Sequence, residues 1–421
     1  MVRGDIEIMA PVGSFASLKA AIQGGADSVY FGAGHLNMRS KSSQNFTLED
    51  LDEIVAICKQ NGVRTYLTVN TIIYDNELDE MRQIIDAAAR NKVSAVIATD
   101  YAAIQHARQQ GMEVHISTQS NITNIEEVRF FSQWADVMVT ARELNLNQVA
   151  AITKAIKEQD IRGPSGKLIQ IEIFAHGALC MAISGKCYLS LHTLNESANR
   201  GACLQPCRRA YQVKDKDKNI ELEVDNEYIM SPKDLKTVHF LNKILDAGVK
   251  VLKIEGRGRS PEYVKKVTQV YREAVRAWFR GDYTRANINK WEEELKTVYN
   301  RGFWNGYYLG QRLGEWTEKY GSQATRKKIY VGKVTNYFSK IGVIELNVQT
   351  NDLEVGDNFM IIGPTTGVYE DSVKELRVNL EPVQKSVKGD ECSLPVSKPI
   401  RRGDKVYKVI HVEQEKIDFQ V

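Results

Sequence analysis

The sequence predicts an α/β fold, a (β/α)8 TIM-like barrel carrying a Cys-rich excursion, followed by a small C-terminal β-barrel. Three observations predict it. Short β-rich runs alternate with helical segments over roughly the first 280 residues, the length and order of a (β/α)8 barrel. Eight such runs can be counted, which favours a closed barrel over the doubly wound sheet that shows the same alternation. From Lys327 onward the helical period disappears, and short strands separated by Gly-Asp turns take over.

Taken in order, Ile6–Ala10 is the first strand, and Ser14 is placed to cap a helix over Phe15–Gln23 that Gly24-Gly25 ends. Ser28–Phe31 is the second strand. Leu51–Gln60 is helical, Asn61-Gly62 stops it, and Val63–Val69 is the third strand. Helix Glu77–Asn91 precedes strand Ala95–Ala98, helix Tyr101–Gln110 precedes Glu113–Ser117, and helix Ile125–Trp134 precedes Val137–Val139. Leu146–Gln159 precedes Leu168–Phe174, and a helix over Ser231–Ala247 precedes the eighth strand, Lys250–Ile254. Pro261–Arg280 and Ile288–Val298 continue as helices. The late strands are Ile329–Val334, Val343–Val348, Phe359–Ile362, Val373–Val378 and Val406–Val409. The expected domains are 1–285 for the barrel with its excursion at 175–230, a helical connector at 286–326, and the β-barrel at 327–421.

The excursion breaks the rhythm after the seventh strand, so it leaves from the carboxyl-end face, where barrels of this kind assemble their sites. It holds Cys180, Cys187, Cys203 and Cys207, four of the six cysteines, with gaps of six, fifteen and three residues. In a reducing compartment a local thiol cluster reads as a metal site or redox chemistry. Structural zinc prefers pairs two to four apart, which only the last pair matches, whereas iron–sulfur clusters accept wider spacing. The spacing thus favours a [4Fe-4S] cluster and leaves zinc as the alternative. Small buried hydrophobes would be the bland reading, but clustering in a chain otherwise poor in cysteine argues against it.

Charge is segregated. Residues 1–150 carry 12 Lys/Arg against 18 Asp/Glu, net −6, and the remaining 44 against 35 give net +9, so the whole chain is +3. A basic half holding the thiols suits an anionic partner. No apolar run is long enough for a membrane span, and Met1-Val2-Arg3-Gly4-Asp5 does not read as a signal peptide, so a cytoplasmic location with no membrane partner is expected.

His-Glu-x-x-His, Gly-x-Ser-x-Gly and a phosphate loop are all missing, and Gly32-Ala33-Gly34 lacks the third glycine of a dinucleotide fingerprint. Other candidates sit at strand ends. His115, Ser117, Gln119 and Asn121 share one side if the fifth strand continues; Glu255 and Arg257 share a face at the end of the eighth. Arg39 follows the second strand, Arg208 follows the last cysteine, and Arg259 precedes Ser260-Pro261, a helix start that favours anions. An internal salt-bridge network closing the barrel is the competing explanation.

Several stretches together resemble peptidase family U32, the collagenase-like proteases: Met9–Ser14, Gly25–Gly32, His115–Gln119, Phe174–Arg208, Ser231–Leu235 and Lys253–Arg257. The resemblance covers residues 5–280, and its cysteine segment is highly specific. It implies a barrel-like core and, for several members, oxygen-independent hydroxylation with prephenate as oxygen source and an iron–sulfur cluster at the four cysteines. Branches act on a tRNA wobble uridine, an rRNA cytidine or ubiquinone precursors. The length and single C-terminal β-barrel look like the tRNA branch, which makes 5-hydroxyuridine, and that barrel also resembles the second domain of translation GTPases.

On that reading tRNA is the partner. Arg39, Arg257 and Arg259 would take the prephenate carboxylates, with Gln119 and Arg208 also binding substrate, while His115 and Glu255 would move protons. A paralogous partner subunit or a homo-oligomer stays open. The rival is an endopeptidase using Cys180 with His176 or His192; a non-catalytic RNA-binding protein is the third possibility.

Overall fold

The computed structural model describes residues 6–212 and 228–412, so the expected N-terminus, part of the excursion at 213–227 and the last residues of the C-terminal unit lie outside the described residues. The first sheet contains β1 (Glu7–Pro11), β2 (Ser28–Phe31), β3 (Arg64–Val69), β4 (Ala95–Ala98), β5 (Glu113–Ile116), β6 (Val137–Val139), β7 (Gln170–Gly177), β8 (Asp234–Lys236), β9 (Val251–Ile254) and β10 (Phe303–Trp304). Strands β1 to β7 pair in sequence, all parallel, and β9 closes the ring between β7 and β1 through Glu172↔Val251 and Glu7↔Val251. This is the expected eight-stranded parallel barrel. The helices α1 (Phe15–Gly24), α2 (Leu51–Gln60), α3 (Leu78–Arg90), α4 (Tyr101–Gln109), α5 (Ile125–Phe131) and α6 (Leu146–Glu158) cross between the strands. Ser14 caps α1 as predicted, its side chain accepting from the Ser17 N–H at 3.2 Å.

Met9, Tyr30, Tyr66, Ala95, Ile97, Val137 and Val251 fill the inside of the barrel, and a larger apolar layer lies between strands and helices. Of these, Met9, Ile97, Val137 and Val251 each contribute about 1.5–3 kcal/mol when fully removed from water.

After β7 the chain carries α7 (Leu189–Leu194) in the excursion, then α8 (Leu241–Asp246), α9 (Pro261–Arg280) and α10 (Arg285–Lys296). The helix expected over Ser231–Ala247 is confined to α8. Asp234–Lys236 is strand instead, because β7 runs past the barrel and its tail offers a free edge: Gly177↔Leu235 and His176↔Lys236 pair antiparallel. Thr237 anchors the turn that follows, donating to the Ala175 carbonyl at 2.9 Å.

The C-terminal unit is antiparallel. Its strands are β11 (Arg326–Phe338), β12 (Val343–Val348), β13 (Leu353–Glu354), β14 (Asn358–Gly363), β15 (Gly367–Ser372), β16 (Arg377–Val378), β17 (Glu381–Pro382), β18 (Lys385–Ser386), β19 (Glu391–Pro395) and β20 (Lys405–His411). Eight of them form a sheet in the order β15-β14-β20-β11-β12-β19-β16-β17, curled around one core that includes Val331, Ile344, Phe359, Tyr369, Leu394 and Val406. The strand expected at Val373–Val378 is largely displaced to β15. The loop Gly363–Gly367 is a hairpin whose ends pair directly, so the next strand begins at Gly367.

This sheet packs on the barrel through Ala20 of α1 against Met360, Ile362, Val368 and Val409. The Gln23 side chain fastens the contact, donating to the Thr366 carbonyl at 2.9 Å and accepting from the Val368 N–H at 3.0 Å. Among the described residues, no helix is long and apolar enough to cross a membrane.

Candidate active site

Parallel strands deliver their C-terminal ends to one face, and here a pocket opens at the mouth of the barrel on that face. Tyr30 from β2, Arg39 from the loop after it, Thr68 and Asn70 from the end of β3, Ile97 from β4 and Phe174 from β7 line it. Lys253 from β9 completes the floor, and Glu255 and Arg257 follow on the same side of the chain. The excursion forms the roof. Gly177, at φ +108°, starts it: a Cβ there would meet the Glu255 carbonyl at 2.5 Å, so only glycine lets the chain turn away so close to β9.

The roof is pinned to two barrel loops. Arg200 pairs with Glu77, Lys41 meets Glu196 at 2.7 Å, and the Ile72 N–H donates to the Asn199 carbonyl at 3.1 Å. As a result Cys180, Cys187, Cys203 and Cys207 all face the one pocket, and all four are free thiols. Desolvation pushes the Cys207 thiol up to about 11; Arg208 opposes this, while Cys180, Cys203 and Cys187 add to it. Thiols that sense one another in this way release their protons when a metal centre takes them. Among the described residues no three His, Cys, Asp or Glu side chains already stand close enough to hold a single ion. Four thiols at one pocket are nevertheless the donors that a thiolate-held centre would use.

Below the thiols lies an excess of positive charge. Arg39 Nη2 donates to Glu255 Oε1 at 2.9 Å. Burial opposes ionisation of Glu255, but Arg39, then Arg259 and Arg142, hold its carboxyl below the usual range. Arg257 is 6% exposed and donates to Asn37 Oδ1 and Thr68 Oγ1, both at 3.0 Å. Burial pushes it down to about 10, so it keeps its charge at neutral pH. Lys253 Nζ meets Glu172 Oε1 at 2.7 Å beneath the faces of Tyr30 and Phe174, and Glu172 Oε2 has no partner among the described residues. Arg142 lies on the Phe174 ring, 3.9 Å from its centre, with its buried Nε unpartnered.

The residues expected from sequence divide. Arg39, Gln119, Arg208, Glu255, Arg257 and the four cysteines come together in the pocket. Arg208, however, spends both terminal nitrogens locally, on the Ser231 hydroxyl and the Pro232 carbonyl at 3.0 and 2.7 Å and on the Leu179 carbonyl at 2.7 Å. Arg259 sits next door, over the Tyr299 ring at 3.7 Å, in a cleft that shares Arg39 and Glu255. The helix start behind it is occupied by its own Glu262, paired with Lys328 at 2.8 Å.

His115 does not join them. It is fully buried inside the barrel, bonded through Nε2 to Glu113 at 2.9 Å and packed at a tilt of 57° against the Tyr66 ring. The series His115, Ser117, Gln119, Asn121 does not run along one strand, because β5 ends at Ile116 and one turn of 3-10 helix follows. Ser117 and Gln119 still reach the pocket. Lys253, Arg142, Asn70 and Tyr30 were missed. The alternation that found Glu255 and Arg257 extends back to Lys253, whereas no sequence signal marks Arg142.

Comparison with known proteins places the chain among relatives of two kinds of name. A protein named "Collagenase" from Porphyromonas gingivalis is 58% identical over 404 residues, 96% of this chain and 98% of its own. A tRNA hydroxylation protein from Bacillus subtilis is 32% identical over 366 residues, covering 85% and 83%. A 23S rRNA 5-hydroxycytidine synthase of Escherichia coli is 34% identical over 316 residues, 74% of this chain and 46% of that one. The sequence pattern of peptidase family U32 matches residues 13–318, the barrel together with its thiol-bearing roof, and the chain belongs to that family.

Proposed function

We propose that this chain is a tRNA-modifying enzyme that hydroxylates a wobble uridine at C5 without molecular oxygen, with prephenate as the oxygen source and an iron–sulfur cluster at the four cysteines. One observation carries the reading: four thiols and the cations Arg39, Arg142, Arg257 and Lys253 converge on one pocket at the barrel mouth. Prephenate is a dicarboxylate, and arginine presents planar pairs of donors that match carboxylates. Arg257 and Arg142 are best placed to hold one, and Lys253 supplies a point charge at the floor. Glu255, kept ionised by Arg39, is the group available to accept a proton from the reacting base. A uridine reaches this depth only when turned out of its stack. The cluster, when bound, supplies a redox-active or Lewis-acidic centre under the roof.

Peptide hydrolysis is the second reading, favoured by the name of the 58% identical relative. It needs a nucleophile with a base in hydrogen-bond reach. His176 is 1% exposed and pushed down to about 3 by burial, and among the described residues no histidine bonds any of the four thiols. Nucleoside mass spectrometry of tRNA from a strain lacking the gene tests the proposal. Hydroxyuridine derivatives should disappear and return with the wild-type gene but not with Cys203→Ser or Cys207→Ser. Anaerobically purified protein should be brown and contain iron and sulfide. An unchanged nucleoside profile, with gelatin cleavage that survives loss of all four cysteines, would sink the hydroxylase.

A further inference from the structure

Beside the mouth pocket, and sharing Asn70, Gln119 and Cys187 with it, lies a second cleft of about 490 Å³, within the usual size range of ligand sites. Its walls combine two tyrosine rings, three side-chain amides and one cation. Tyr188 is 76% exposed and Tyr74 56%, unusual for aromatic side chains beside a pocket. The Arg200 guanidinium, held by Glu77, stacks on the Tyr74 ring at 3.9 Å and fixes its plane.

The amides are just as deliberately held. Asn70 Nδ2 donates to Ser117 Oγ at 3.1 Å, and Ser117 Oγ donates to Gln119 Oε1 at 2.8 Å. That leaves the Gln119 amide N–H groups with no partner among the described residues, and Asn199 lines the same cleft. Gly185, at φ +77°, presses the roof onto Gln119, where a Cβ would lie 2.8 Å from its Cγ. Lys186 is exposed at the rim, and no acidic residue lines the cleft.

Flat aromatic faces, oriented amides and a lone cation are the chemistry that recognises an unpaired nucleotide: stacking for the base, hydrogen bonds for its edge, charge for its phosphate. Resting on the RNA reading above, we propose that this cleft is a second nucleobase subsite. It holds an unpaired nucleotide adjacent in the RNA loop to the base turned into the mouth pocket, with Tyr188 and Tyr74 stacking and Gln119 reading the base edge.

Binding of a tRNA anticodon hairpin to the full-length protein, followed by fluorescence anisotropy, tests this without any turnover. Tyr188→Ala should weaken binding about tenfold, the usual scale for loss of one stacked base, while Tyr188→Phe stays within about twofold. A 2-aminopurine beside the target position should be quenched by the wild type and not by Tyr188→Ala. Lys186→Ala should lower the slope of log affinity against log salt by about 0.7. Hairpin binding and quenching unchanged in both Tyr188→Ala and Tyr74→Ala would overturn the subsite while leaving the RNA substrate intact. A wild type that binds no hairpin, but binds a gelatin peptide in a Tyr188-dependent way, would overturn the RNA reading and the subsite with it.

Discussion

At the N-terminal end of the barrel, Glu7 accepts from Ser28 and Tyr66 at 2.6 and 2.7 Å, and Arg64 bridges to Glu113 at 2.6 Å, which in turn bonds His115. Each carboxylate there has its cation or hydroxyl, so the acidic groups are closed, and of this cluster only the buried Nδ1 of His115 lacks a partner among the described residues. At the C-terminal end, Arg39, Arg142, Arg257 and Lys253 gather around the one pocket carboxylate, Glu255, with Glu172 paired to Lys253 from below the pocket, and the buried Nε of Arg142 stays unpartnered. Both ends bury charge inside the same ring of strands. The difference teaches where this barrel spends polar groups on stability and where it keeps them open for a ligand: a satisfied network rigidifies, an unsatisfied one costs free energy until something binds.

Four substitutions would break or sharpen that contrast. The largest effect is expected for Arg39→Met, which removes the ion-pair partner of the buried Glu255 carboxylate and leaves it only Arg259 and Arg142 as more distant cations; denaturant unfolding should show a loss of about 3 kcal/mol, and adding Glu255→Gln should recover most of it. Recovery of the proposed tRNA hydroxylation along with stability would contradict the role proposed for Glu255.

His176, beneath the mouth, comes next. Its folded value of about 3 lies below the ordinary histidine range near 6.5, so the unfolded chain binds the extra proton between them. The contribution is therefore complete above pH 6.5 and fades as pH falls, at up to about 1.4 kcal/mol per pH unit. Unfolding curves between pH 6.5 and 4.5 should show this slope and lose it in His176→Gln.

At the closed end, Glu113→Gln should cost about 2 kcal/mol, the scale of a charged hydrogen bond, while activity per folded molecule is unchanged. Burial works against the Glu113 charge, but His115 and Arg64 hold the carboxyl below its usual range. Its contribution is thus present above about pH 4.3 and lost in acid. An activity loss matching that of a mouth residue would erase the distinction between the two ends.

The smallest stability effect belongs to Arg142→Met, about 1 kcal/mol by thermal unfolding, for the lost contact with the Phe174 ring and the lost bond from Nη1 to the Ala178 carbonyl. On the proposed function, hydroxylation should nevertheless drop at least about tenfold, because the proposal makes Arg142 a carboxylate-binding donor of the open end.

Much of this was legible in one dimension. Alternation with a period of two put Glu255 and Arg257 on one face, and the same rule, carried two residues back, reaches Lys253. Helix signals placed α1 with its Ser14 cap and its end at Gly24-Gly25, within one residue of the observed last residue Gly24. The rule failed at His115 because strand alternation says which side of a strand a residue faces, not how deep in the barrel it sits. It failed over Ser231–Ala247 because a free edge at the end of β7 outweighed local helical preference. Arg142 follows β6 in a loop, where no period exists to read.

By itself the sequence determined the number and order of the barrel strands, the break after the seventh, the thiol cluster in that break and the basic character of the second half. These are local or compositional properties, set by apolar periodicity, turn residues and spacing. Only the tertiary structure decided that the four thiols share a pocket with Lys253, Arg142 and Arg257, that His115 belongs to the closed end, and that Tyr74 and Tyr188 stand beside the mouth. Those outcomes depend on ring closure and on the pinning of the roof through Arg200 and Lys41, contacts between residues more than a hundred positions apart that no local pattern encodes.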